Sequence, residues 1–300
     1  MTEMAGAAGQ GGGARLRGRD EVMPIWEFSA IIWAGAVGAG FLGSLTGLGG
    51  GVAIVPLLTL GLGVDIRYAI GASLVSVIAT SSGSAVAYVR EGFSNIRVGM
   101  LLEIATTLGA TGGAILASVV PASTIAVVFG AALVMSVYSA IKGPGLEAPD
   151  AAPDALATRL RLHGSYPARD GVRSYHVRNV PAGFGLMGVA GVLSGLLGIG
   201  SGALKVLAMD QVMRLPFKVS TTTSNFMIGV TAAAGAGIYL NNGYIDPGLA
   251  MPVMLGVLLG SLIGARVLPV AATRTLRVVF AAVILALGVE MVYNGLTGRV

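Results

Sequence analysis

The chain has 300 residues, 54% of them hydrophobic and 11% charged, with a mean hydropathy of +0.82. Soluble domains carry about 25% charged residues, so a water-soluble globular fold is excluded. The chain has no cysteine, hence no disulfide, thiol redox centre or Cys-ligated metal, and its formal charge of +5 fits anionic lipid heads better than nucleic acid.

Residues 1–24, rich in Gly and Ala, read as a flexible tail with no apolar core close behind their basic residues, unlike a cleavable signal peptide. Apolar segments follow at 25–46, 52–63, 68–90, 96–118 and 122–141, making a first transmembrane repeat over 25–141. A polar linker, 142–179, holds Pro144, Pro149, Pro153 and Pro167. The second repeat, 180–300, has segments at 180–197, 203–213, 218–240, 247–269 and 274–296. Most exceed the ~18 apolar residues that make a spanning helix. The runs are continuous rather than alternating, which argues against a β-barrel. The expected fold is an all-α polytopic membrane protein.

A constant offset of 151 relates the halves without a gap. "TGLGGG" (46–51) falls on "LGIGSG" (197–202), Ser73 on Ser224, Thr80 on Thr231, Tyr88 on Tyr239 and Gly92 on Gly243. Met100 falls on Met251, Gly109 on Gly260 and Gly113 on Gly264. An odd number of segments per half predicts an inverted-topology repeat of two halves. The second and seventh segments fall short of the ~20 residues a span needs, so re-entrant or broken helices are expected there. With the linker cytoplasmic, the Lys and Arg residues other than Lys205 divide 13 to 5, leaving only Arg15, Arg17, Arg19, Arg67 and Arg299 outside. The excess on the linker side places it in the cytoplasm and the protein in the cell membrane.

Glycines at membrane depth break helices where protein or a water-filled cavity surrounds them, and they bare backbone N–H groups to an anion. This makes Gly47, Gly49, Gly50 and Gly51 in the first half, and Gly198, Gly200, Ser201 and Gly202 in the second, candidates for substrate binding. Ser73, Thr223, Ser224 and Asn225 offer polar groups, and Lys205 offers a positive charge. Lys205 could instead snorkel to an interface. Most hydroxyls of such helices bond their own backbone, and Gly109, Gly113, Gly260 and Gly264 are read as close-packing residues. Glu103 and Glu290, inside apolar runs, are candidates for ion or proton coupling or for pairing with a nearby arginine.

"GFLGSLTGLGGGVAIVPLL" in the first half and "GVLSGLLGIGSGALKV" with "STTTSNF" in the second resemble the TauE/SafE family of sulfite-exporter-like membrane proteins. The resemblance implies secondary transport of a small sulfur-containing anion such as sulfite, sulfoacetate or a related sulfonate, as an exporter. Leu207 stands opposite Pro56 where the family pattern commonly has a second proline, and Lys205 stands opposite Ile54. Whether the halves contribute equally therefore stays open. The implied partners are the small anion and membrane lipids, without nucleic acid, cofactor or metal; a homodimer is left open.

Two other classes compete. A passive anion channel shares the inverted-repeat architecture. An intramembrane serine hydrolase would use Ser201 with Lys205 as its base, since both histidines, His163 and His176, lie in the linker. No stretch fits the G-x-x-x-x-G-K-[ST] phosphate loop of an ATP-driven pump.

Overall fold

The computed structural model describes residues 25–46, 51–90, 94–142, 154–168, 171–267 and 273–298. The N-terminal tail lies outside these residues, as do Gly47, Gly49 and Gly50 of the first glycine motif. The first half folds as α1 (Ile25–Thr46), α2 (Gly51–Pro56), α3 (Ile66–Arg90), α4 (Ile96–Val119) and α5 (Ala122–Lys142). The second folds as α7 (Val180–Leu197), α8 (Gly202–Leu207), α9 (Phe217–Asn241), α10 (Pro247–Val267) and α11 (Thr273–Leu296). Between them lie α6 (Ala155–Arg159), β1 (Gly164–Ala168) and β2 (Gly171–Tyr175). Among the described residues α4, α7 and α10 are long and apolar enough to cross a membrane. This is an all-α membrane protein.

The two short segments do not span. α2 runs into a π turn over Leu57–Gly61, and α8 into one over Ala208–Val212. Each unit of eleven residues, 51–61 and 202–212, is ~16 Å long, about half of a ~30 Å hydrocarbon layer. All six residues of α2 are buried. An isolated helix this short would be unstable, so the bundle around it holds it.

Exchanging the halves maps the principal helix pairs onto one another. α1 packs on α10 as α7 packs on α4, α4 packs on α9 as α10 packs on α3, and the pairs α3–α9 and α5–α11 map onto themselves. The offset of 151 recurs in particular backbone contacts. A Cβ on Gly40 would run into the backbone of Val257, and one on Gly191 into that of Thr106. Gly109 abuts Gly188 and Val192, and Gly260 abuts the matching Val37 and Phe41. Val64 N donates to Leu58 O at 3.0 Å, and Leu215 N to Met209 O at 2.9 Å. The glycines therefore act in these pairs by letting backbones touch, as the sequence suggested for Gly109, Gly113 and Gly260.

α3 and α9 run antiparallel. Asn95, just past the end of α3, donates its N–H to Thr223 Oγ1 near the start of α9 at 3.0 Å. Tyr244, just past the end of α9, packs edge-on against Tyr68 near the start of α3. Arg67 at that far end donates to Ala117 O and Val120 O at 3.1 and 2.8 Å and lies over the Tyr244 ring.

The described residues of the polar linker form short elements. Asp154 caps α6 by accepting from Leu156 N at 3.1 Å, and β1 and β2 form an antiparallel hairpin. Asn95 caps α4 with its side-chain oxygen while its Nδ2 donates to Leu162 O and Tyr175 Oη, at 2.9 and 2.8 Å. Arg97 donates to Arg161 O, and Arg178 N donates to Met213 O. The linker thus rests on the α3–α4 and α8–α9 turns, beside Arg97 and Arg214.

Within the linker, Val177 N donates to His163 Nδ1 at 3.2 Å, so that nitrogen carries no proton. Burial, and then the neighbouring His176 ring at 5.0 Å, push the His163 imidazole below its ordinary value of 6.5. A depressed imidazole contributes stability at pH above 6.5 that is lost as pH falls toward its folded-state value. Histidine-labelled NMR should give His163 a midpoint below that of a free imidazole, with the Val177 amide resonance moving in step. A midpoint at or above 6.5 would contradict the hydrogen bond.

Candidate functional site

The second glycine break and the start of α2 meet on α3. α7 ends where Gly198 enters the left-handed region at φ +66°, and Gly200 and Ser201 follow at +68° and +46°. Glycine takes this conformation without strain, and Ser201 is the side-chain-bearing residue forced into it. The Ser73 hydroxyl donates to Gly198 O at 2.8 Å and lies 3.2 Å from Gly51 O, tying the second break to the start of α2. A Cβ on Gly51 would fall 2.6 Å from Val77 Cγ2 and 2.9 Å from Ser73 Oγ. Ser224 makes the matching bond to Gly202 O at 3.3 Å, while the residue matching Gly198 is Gly47, outside the described residues. The Ser73 and Ser224 hydroxyls thus hold the second break and the start of α2 in place by donating to backbone carbonyls.

The remaining candidates divide. Gly200 and Gly202 pack against Ile228, and Gly200 also against Val77, with no room for a side chain. Ser201 is 3% exposed and its hydroxyl has no hydrogen-bond partner. It lines a small cavity with Val52, Ile199, Gly202, Leu204, Ala132 and Ser136. Thr223 accepts from Asn95 N at the linker end of α9, and Asn225 lies half-buried on the same helix. Glu290 is exposed on α11.

Lys205 does not snorkel. Its side chain is fully buried, and Nζ donates to Thr231 Oγ1. Thr231 in turn donates to Glu103 Oε1 at 2.6 Å, and Glu103 Oε2 lies 4.0 Å from Lys205 Nζ. Thr107 Oγ1 reaches the same Oε1 at 3.3 Å. The cluster joins α4 of the first half to α8 and α9 of the second. Ser201 and Lys205 do not form a catalytic dyad here, because the lysine is engaged by Thr231 and Glu103 and Ser201 Oγ is unpartnered.

Sequence reasoning missed Thr231 as a site residue. Its only signal was the match to Thr80, which makes the ordinary bond to its own helix at Ser76 O. Ile54 and Met254 stand where Lys205 and Glu103 would recur. The polar cluster therefore belongs to one register only. Among the described residues no group of three or more His, Cys, Asp or Glu side chains could hold a metal.

Similarity to known proteins agrees with this architecture. The chain is 28% identical over 277 residues to the probable membrane transporter protein YunE of Bacillus subtilis (strain 168), covering 90% of this chain and 99% of that protein. It is 27% identical over 228 residues to the probable membrane transporter protein YdhB of the same organism, covering 76% and 85%. A probable membrane transporter protein of Xylella fastidiosa (strain 9a5c) is 25% identical over 272 residues, covering 89% and 96%. No solved structure matches the chain. The family model described as sulfite exporter TauE/SafE matches residues 32–291, and the chain belongs to that family.

Proposed function

We propose that the protein is a secondary transporter that exports a small sulfur-containing oxyanion, such as sulfite, sulfoacetate or a related sulfonate, across the cytoplasmic membrane in an ion- or proton-coupled cycle. That it is a multi-pass membrane transporter follows from its family and its apolar helices. The substrate reading draws on the family's description as sulfite exporters. The observation that carries the site is the fully buried Lys205, held one turn past a break at Gly198–Ser201 that Ser73 ties to the start of α2. Irregular backbone and a cation at membrane depth mark ion and substrate pathways. Efflux of sulfite and sulfoacetate from proteoliposomes tests the reading. Saturable efflux with counterflow is expected; neither anion moving above protein-free vesicles would refute it, and current without counterflow would indicate a channel.

The same reading makes the halves an inverted-topology repeat with the linker in the cytoplasm. The antiparallel α3 and α9 and the exchangeable packing partners support it. Ser165 and Asn242 are exposed at opposite ends of the bundle, whereas Ala157 is fully buried and would be a poor reporter. In whole cells, Asn242→Cys should react with an impermeant thiol reagent and Ser165→Cys should react only after lysis. The reverse pattern would put the linker outside.

A further inference from the structure

We propose that Glu103, Thr231 and Lys205 form one proton-linked anion site, in which an oxyanion binds at Lys205 together with a proton on Glu103, one proton for each singly charged anion. The inference rests on the anion-transport reading above and adds its coupling rule.

The geometry leads there in three steps. The cluster is neutral, with one carboxylate and one ammonium 4.0 Å apart and Thr231 accepting from the lysine and donating to the glutamate. An anion entering beside Lys205 would leave two negative charges facing one positive in a buried site, which is costly unless a proton arrives too. Glu103 Oε2 is buried, has no hydrogen-bond partner and faces the ammonium. A proton placed there makes Glu103 neutral and leaves the whole Lys205 charge to the anion.

Lys205 is the ion-pair partner of Glu103 among the described residues, and the titratable groups on the elements around it are few. α7 carries no titratable residue, α9 carries Lys218 in its first turn and Tyr239 near its other end, and Asp210 lies on the π turn after α8. α4 itself carries Arg97 at its linker end. Because binding free energies are reciprocal, a proton that tightens the anion is itself tightened by the anion. Ile54 and Met254 occupy the matching positions of the other register, so each chain holds one such site.

Purified protein in lipid nanodiscs, titrated calorimetrically with methanesulfonate (charge constant across the range) and with sulfite, tests this. Between about pH 8.5 and pH 5.5, affinity for methanesulfonate should rise by up to tenfold per unit of pH lowered, the slope for one linked proton. Titration in buffers of different ionisation enthalpy should show up to one proton taken up per anion bound. Glu103→Gln, which keeps the shape and removes the charge, should bind at pH 8 as tightly as the unaltered protein does at low pH. Thr231→Ser should keep the slope of the unaltered protein. A flat affinity with no proton uptake, or a Glu103→Gln variant with the unaltered slope, would overturn the proposal even though the anion binds. Absence of binding at every pH would instead refute the anion-transport reading, and the coupling rule with it.

Discussion

Lys205→Ala is expected to destabilise the folded protein by about 3–5 kcal/mol, because it strands the Glu103 carboxylate without its counter-ion inside the bundle. Thr231 loses its donor in the same change. Loss of anion binding in this variant would therefore report the fold as much as the ligand. The informative companion is Glu103→Gln with Lys205→Met, which removes both charges and keeps similar volumes. Replacing a buried ion pair by neutral groups of like size is often neutral or stabilising, so the double variant should recover most of the loss while failing to bind methanesulfonate. Thermal unfolding in detergent of Lys205→Met, Glu103→Gln and the double variant gives the coupling between the sites. If the losses simply add, Glu103 and Lys205 act independently, and the pairing seen in the structure is not an energetic unit.

Gly113→Val should be at least as damaging, by more than about 3 kcal/mol, through close packing rather than charge. A Cβ at Gly113 would overlap the Val192 carbonyl of α7 and lie 3.0 Å from Leu196 N, and backbone has no rotamer with which to yield. α4 and α7 would have to separate along the seam that Gly109, Gly191 and Gly195 keep narrow. That seam also sets the position of Glu103 opposite Thr231, so transport should fall with stability. Gly112→Val is the control, since a Cβ on the adjacent Gly112 meets nothing within 4 Å and should change the unfolding temperature little. Equal effects at the two positions would mean that helix propensity, not the α4–α7 contact, decides.

Residue order alone was enough for the membrane character, the ten apolar segments and the offset of 151. Each is written in local composition or in spacing along the chain. A run of apolar residues must be buried wherever the helices go, and a half-helix of eleven residues cannot cross a bilayer whatever surrounds it. The segment limit 197 is the observed end of α7, because Gly198 stops the helix by its own backbone freedom.

Tertiary structure decided what the polar residues do. Glu103 and Lys205 could each be noticed as a charge in an apolar run, but their partnership through Thr231 joins three helices, with Thr231 and Glu103 separated by 128 residues. Ser73 read as a ligand for an anion, whereas the fold turns its hydroxyl onto Gly198 O, 125 residues away. The linker read only as a polar connection with four prolines, because its strands are five residues long and contain Gly and Pro, and its described residues are held by Asn95 beside the start of α4. Periodicity and propensity act over a few residues. A hydrogen bond across the bundle depends on which helix faces meet, which the small-residue seams fix only once the halves are packed.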